Sequence, residues 1–494
     1  MGIRGSEYQD QTAYDRYGMS GGGLDWGNQP SVFREYPHLP VYPLSEPPAW
    51  PEGNVWQVMC GPEITPKEAE FLPENLAAIL YLSGGVTARA KHGHDWFYYR
   101  APASAGALYP FEVYCATCGV RSLEDGLYHF TVSRSGLSLL RQGNFTESLD
   151  RLVDASEPSG KPSVIFVLSA IFFRSAWKYR ERAYRYCLYD TGHLLENLLL
   201  SLKFLSIPFD LHLDFGNAEV ERLSGIDDEQ EGALALVRAY WRSGGPVSVS
   251  AEQAASPVSF QAGPLCPGIR TFDKIVGVHR ETGSVDSVAS GGEEPGKKGP
   301  WLWEAVPEAE GTMDFPSFVE TVQTRRSKRN YVVRPVSKGR LGTLLGLILG
   351  PSDSDLYRGP RPDLGILVGD VADTAPGFYR IDPRTRQMAL VKEGDLLRDM
   401  ADAALNQMWL ARAAVLLVMF ADLKKIEDRY GPRSYRHLML KAGMLGQRVY
   451  LAATGLGMGA CGIGAFYDAE AANVLGLEPA ERVLYLVAAG PVKR

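Results

Sequence analysis

The chain has 494 residues, 45% of them hydrophobic and 22% charged, with a net charge of −7. That size predicts two domains plus connectors, and the acidic balance argues against a general nucleic-acid binder. Six scattered cysteines form no disulfide framework, which fits a reducing, cytoplasmic setting.

Residues 1–64 are rich in Pro, Gly and Tyr and read as an arm over the body, with Trp26, Tyr36, Tyr42 and Trp56 as its anchors. They lack a basic region followed by an apolar run, so no signal peptide is expected. A first domain spans 65–242. It holds a helix over Glu74–Leu82, strands over 111–117 and around Tyr128, an apolar strand over 163–172, a long helix over 184–205 and a last strand over 233–240. The long helix is apolar on nearly all faces but is broken by Asp190, His193, Glu196 and Asn197. It therefore reads as a buried helix and not a membrane span. A connector follows over 243–313, dense in Gly, Ser and Glu at 281–299. The second domain, 314–494, repeats the order with a helix over 338–349, strands at 365–369, 414–421 and 483–489, and a long helix over 435–454. Mixed helices and hairpin-linked strands indicate an α+β fold.

The repetition is visible residue by residue. At an offset of 251, Lys178–Gly225 lies over Arg429–Gly476 without a gap. Tyr179, Arg182, Tyr184, Arg185, Gly192, Leu205, Phe215 and Gly225 meet Tyr430, Arg433, Tyr435, Arg436, Gly443, Leu456, Phe466 and Gly476. A repeat of this length is a duplicated domain and not a solenoid unit.

Each half keeps what the other lacks. Only the second carries the cluster Arg325, Arg326, Ser327, Lys328 and Arg329, and the glycine run 455–464. Guanidinium groups beside a hydroxyl suit a phosphate monoester, although such a cluster standing alone is as well explained as a solvated basic patch. The run contains Gly457-Met-Gly459-Ala460-Cys461-Gly462, a formal match to the dinucleotide fingerprint. A helix precedes it where that fingerprint needs a strand, which excludes a Rossmann site. Its glycines would still let backbone N–H groups approach a flat ligand. Lys493 and Arg494 end the chain as a second basic pair. Only the first half carries the loop RAPASAGALYP at 100–110, with Ala103, Ser104, Ala105 and Gly106 exposing backbone and a hydroxyl. From Leu76 to Pro110 the first half has 35 residues, against 21 from Leu341 to Arg361. Two complementary, incomplete copies suggest one site built from both. Cys115 with Cys118, and His92 with His94, are weak as metal sites, and no metal is expected.

The loop RAPASAGALYP, the run WKYRERAYRY at 177–186 and the helix with Gly192-His193 and Asn197 closely resemble SagB-type (ThcOx-like) dehydrogenases of the nitroreductase superfamily. The second half resembles the same superfamily through RRSKRNY (325–331), GLGMGACGIGAF (455–466) and the terminal PVKR. In that family the loop usually reads Ala-Pro-Ser, and here Pro102 and Ala103 are shifted. The resemblance implies an α+β fold of two fused nitroreductase-like domains, an intrachain pseudo-dimer with FMN at its interface. It assigns the phosphate to Arg325, Arg326, Ser327 and Arg329 with Lys493 and Arg494, and the ring edge to Gly459, Ala460, Cys461 and Gly462 with Gln407 as a hydrogen-bond partner. The loop Ala103–Gly106 packs near the flavin. A mirror site from 60–66, 204–215 and 350–361 would lack these anchors.

Lys178-Tyr179 matches the Lys-Tyr pair used by azoline-oxidising members. The second copy has Arg429-Tyr430, and arginine cannot act as a base. Lys178 and Tyr179 are thus the candidate catalytic residues, with a purely structural role for the pair as the simpler reading. The implied activity is flavin-dependent dehydrogenation of an azoline to an azole in a modified peptide or a related small molecule. A peptide-cyclising enzyme would be the partner, and neither nucleic acid nor membrane is involved. The alternatives are an NAD(P)H-dependent nitro or quinone reductase and a catalytically idle scaffold.

Overall fold

The computed structural model describes residues 2–18, 23–44, 49–61, 72–93, 95–153, 161–240, 260–284, 300–311, 313–351 and 354–493. The chain divides into two compact units. One comprises Met1–Ile3, Gly23–Glu52 and Glu63–Val285; the other comprises Arg4–Gly22, Gly53–Pro62 and Asp286–Arg494.

The first unit contains β1 (Val41–Pro43), β2 (Val86–His92), β3 (Asp95–Arg100), β4 (Phe111–Thr117), β5 (Gly126–Thr131), β6 (Gly136–Gln142), β7 (Val164–Ile171), β8 (Phe209–His212) and β9 (Glu231–Ala239). Seven of these form one sheet in the order β1-β6-β5-β4-β7-β9-β8, and β2 with β3 form a separate hairpin. The central strand β7 reads VIFVLSAI and is buried throughout, as expected of a strand covered on both faces. Its antiparallel partners are β4 and β9. The long helix Ala183–Phe204 packs on the helix Pro73–Gly84 and on the sheet, and is buried along nearly its whole length.

The second unit contains β10 (Glu304–Ala305), β11 (Asp363–Val368), β12 (Gly377–Asp382), β13 (Gln387–Glu393), β14 (Val415–Ala421), β15 (Gly459–Ile463) and β16 (Arg482–Gly490), in the order β10-β13-β12-β11-β14-β16-β15. This is the first unit's order, element for element. The helices Phe172–Tyr179, Ala183–Phe204 and Asn217–Ser224 recur at Leu423–Tyr430, Ser434–Gly455 and Asp468–Leu475, each displaced by 251 residues. The left-handed caps also coincide: Gly225 has φ 67° and Gly476 φ 66°. The expected α+β fold with two like domains is therefore observed. The extra length of the first half is the β2–β3 hairpin, which has no counterpart among the described residues of the second half.

The residues expected to form one arm are shared between the units. In the first unit β1 pairs with β6, and Trp26 meets the Trp177 ring edge-on at 5.3 Å. Tyr36 packs on His129 and Phe260, and the Tyr42 hydroxyl donates to the Ser122 carbonyl at 2.8 Å. In the second unit Asn54 caps the helix Val55–Cys60, and Trp56 stacks on Phe315. Cys60 thus belongs to the second unit, where it contacts the Gly346 carbonyl, and not to a first-domain counterpart of the arginine cluster.

Two appended helices occupy matching roles. Tyr184 Oη lies 3.1 Å from Nδ1 of His279, on the connector helix Asp273–Glu281. Its counterpart, Tyr435, donates to Gln9 on the helix Gly5–Gln11 at 3.0 Å. The connector is therefore partly built into the first unit. Its stretch from 285 to 299 lies outside the described residues.

Candidate active site residues

In the first unit the loop 100–110 is bent by three residues in the left-handed region: Gly106 (φ 67°), Ala107 (φ 54°) and Tyr109 (φ 45°). For non-glycine residues this costs about 1–3 kcal/mol each, so surrounding contacts must hold it. They come from three sides. The Ser104 hydroxyl donates to Asp190 at 2.5 Å and the Ala105 N–H donates to the same carboxylate at 3.1 Å. Ser104 Oγ accepts the Tyr109 N–H at 2.9 Å. The Tyr109 carbonyl accepts from Arg174 at 3.0 Å.

Arg174 sits on the helix Phe172–Tyr179, one turn before Lys178. It also donates to the Ser31 carbonyl and pairs with Glu112 at 2.6 Å. Burial alone would raise the Glu112 pKa, but Arg174 and His129 outweigh it and hold the carboxyl down at about 2. The helix ends at Arg180 with φ 52°, where the second unit has Gly431. That end delivers Lys178 and Tyr179 to Gly106. A Cβ built on Gly106 would lie 3.1 Å from Tyr179 Oη and 3.3 Å from Lys178 Nζ. Lys178 Nζ is 5.4 Å from the centroid of the Tyr179 ring, which packs on Tyr186 at 4.1 Å. The structure thus brings Ser104, Ala105, Gly106, Lys178 and Tyr179 together, with Ala103 buried at the loop's base.

In the second unit the arginine cluster follows a short helix, Phe318–Thr324, which sequence reading missed. Ser327 bridges to Ala460, the Lys328 N–H donates to the Ala460 carbonyl at 2.8 Å, and Ser327 Oγ lies 2.9 Å from Tyr450 Oη. Tyr450 also accepts the Gly462 N–H at 2.7 Å and carries the Arg325 guanidinium over its ring. Burial raises the Cys461 thiol pKa, against the opposing pull of Arg329, which hydrogen-bonds it. Lys493 is tied to Asn330 in both directions: its N–H donates to the Asn330 carbonyl and its own carbonyl accepts from the Asn330 side chain. Gln407 follows two left-handed residues, Leu405 and Asn406, and reaches the carbonyls of Ala404 and Ala465. Arg326 points elsewhere, donating to the carbonyls of Gln323 and Arg325 at its helix end. Arg494 lies outside the described residues.

The glycines of the run have a packing reason that sequence reading did not see. A Cβ on Gly459 would come within 2.5 Å of Val492, and one on Gly462 within 2.0 Å of the Tyr485 hydroxyl. The run forms the edge strand β15, which confirms that no strand leads into it and that the fingerprint geometry is absent. In the first unit β8 takes the same sheet position. Asp210 there, at the place of Cys461, accepts from Arg238 and Tyr240.

Two residues with no assigned role emerge. Tyr450 ties the cluster to the glycine run. Asp190 ties the loop to the buried helix, and its only sequence signal was a carboxylate in an apolar helix. Among the described residues no group of His, Cys, Asp and Glu could hold a metal, and no helix is long and apolar enough to cross a membrane.

Comparison with known proteins identifies the family. The nitroreductase family model matches residues 322–491. The protein named "Putative nitroreductase MJ1384" from Methanocaldococcus jannaschii is 32% identical over 158 residues, which is 31% of this chain and 80% of that one. "Microcin B17-processing protein McbC" from Escherichia coli is 34% identical over 130 residues, 25% of this chain and 47% of that one. A crystal structure described as a "putative nitroreductase" from Anabaena variabilis superposes with a TM-score of 0.81 at 26% identity, covering 99% of this chain and 100% of the other. The chain belongs to the nitroreductase family.

Proposed function

We propose that this protein is an FMN-dependent dehydrogenase that converts an azoline in a modified peptide, or a related small molecule, to an azole. The observation that carries the reading is the seating of Lys178 Nζ and Tyr179 Oη against Gly106 of the small-residue loop. It is supported by the likeness to a protein named for processing microcin B17.

The donor chemistry of the second unit fits the cofactor. Ser327 and Arg329 are exposed, and Arg325 is buried with its guanidinium over the Tyr450 ring. These three, with Lys493, would hold a phosphate monoester, and the edge strand Gly459–Ile463 with Gln407 would line the ring. Arg326 is assigned no phosphate contact, because its guanidinium serves the helix end. One flavin per chain is expected, since the first unit has Asp210 where the second has Cys461 and no matching arginine cluster.

Bound FMN supplies an acceptor for the hydrogen and electron pair leaving the azoline ring. The chain's own part is to take the ring proton at Lys178 Nζ, with the Tyr179 hydroxyl orienting that amine. Molecular oxygen is the expected terminal acceptor.

A second reading, reduction of nitro compounds or quinones by NAD(P)H, is favoured by the likeness to the M. jannaschii protein. An idle scaffold is the third. The spectrum of the purified protein with and without NADPH separates them. A yellow protein indifferent to NADPH supports the dehydrogenase, a yellow protein bleached by NADPH supports the reductase, and a colourless protein supports the scaffold.

A further inference from the structure

We propose that Asp190 is a positioning residue, which holds Gly106 against Lys178 and Tyr179 by gripping the loop through Ser104 and the Ala105 N–H. The role rests on the dehydrogenase reading, because it serves the proposed base.

A carboxylate inside a buried helix is costly unless donors surround it. Asp190 is 2% exposed, and its partners are the Ser104 hydroxyl and the Ala105 N–H. Ser104 passes the grip onward by accepting the Tyr109 N–H. These bonds flank the left-handed residues Gly106 and Ala107, which would otherwise relax.

The other half shows that this helix position is a pin for the segment ahead of the sheet. At the offset of 251, Asp190 falls on Lys441, which is equally buried. Lys441 donates to the carbonyls of Arg358 and Pro360, in the shorter segment before β11. The charge is reversed because the segment is: the first unit turns N–H and O–H groups inward, and the second turns carbonyls inward. A pin matched to its loop in each half is a positioning device, and only in the first half does the pinned loop touch a candidate base. Burial pushes the Asp190 carboxyl up to about 7, with Ser104 and Ala105 drawing it partly back. The two donors thus offset part of the burial penalty on the carboxylate they hold.

The test uses the flavin-loaded full chain as Asp190→Asn and as Ser104→Ala, the latter keeping the buried carboxylate. Lys178 is acylated with acetic anhydride across a pH series and followed by peptide mass spectrometry, with exposed Lys424 as the internal reference. Both variants should move the Lys178 midpoint by about half a pH unit or more, leaving Lys424 unchanged. With a thiazoline-containing peptide, kcat should fall on the order of ten- to a hundredfold at little change in KM. An unmoved Lys178 midpoint in Ser104→Ala overturns the proposal, because Asp190 would then act by its charge alone. Failure of the wild type to oxidise the peptide would sink the dehydrogenase reading, while the acylation result still decides whether Asp190 positions Lys178.

Discussion

Gly106 lies against Tyr179 so closely that a Cβ on the glycine would sit 3.1 Å from the tyrosine hydroxyl, with the Lys178 amine only slightly farther. The same glycine has φ 67°, which alanine adopts at a cost of about 1–3 kcal/mol. Gly106→Ala should therefore lower thermal stability measurably and reduce turnover sharply, as the loop shifts away from the pair. Paired melting and turnover measurements at equal flavin content check this. Unchanged turnover would mean that the contact is incidental.

Lys178→Ala should stay yellow and lose activity, since a general base commonly contributes about 10²–10⁴-fold. Lys178→Arg should be nearly as damaging, because a guanidinium keeps the charge without the basicity. Arg429→Lys at the matching position should change little. Near-wild-type activity in Lys178→Arg would reduce the lysine to an electrostatic role.

Arg325→Ala with Arg329→Ala should weaken FMN binding roughly a hundredfold or more, at about 1.5–3 kcal/mol for each of the two charge-assisted contacts. Arg326→Ala should retain flavin through dialysis, because its guanidinium caps the helix Phe318–Thr324. Loss of flavin from Arg326→Ala alone would contradict this division of roles.

Glu112 gives the first unit a defined acid sensitivity. Its pKa is held at about 2 in the fold, below the ordinary carboxylate value, by Arg174 and His129 against the opposing effect of burial. A depressed carboxyl stabilises the fold fully above its unfolded pKa and loses that contribution as pH falls toward the folded one. The melting temperature should thus drop as pH is lowered from about 4.5 toward 2. Glu112→Gln should flatten that drop and destabilise the protein at neutral pH by about 3–5 kcal/mol, having left Arg174 buried without its carboxylate. A pH–stability profile of the two proteins is the check.

The element order and the likeness of the halves were legible because equivalent helices keep one offset, from Phe172–Tyr179 to Asn217–Ser224. The Lys178-Tyr179 pair and the loop were legible as motifs. What joins them was not. Asp190 is 86 residues from Ser104, and Tyr450 is 123 from Ser327, so neither bond leaves a local pattern. The glycines at 459 and 462 were read as room for a ligand, whereas Val492 and Tyr485 already demand them. The arm was read as one piece because Pro, Gly and Tyr content does not say which unit each aromatic residue anchors.

The most direct test of azoline oxidation is to mix the purified protein anaerobically with a thiazoline-containing peptide. Flavin absorbance and product mass are followed together. Bleaching of one FMN per chain, with a peptide product lacking two hydrogens and no response to NADPH, is the predicted result. A flavin that ignores the peptide and is bleached by NADPH would contradict the account and identify the protein as a reductase.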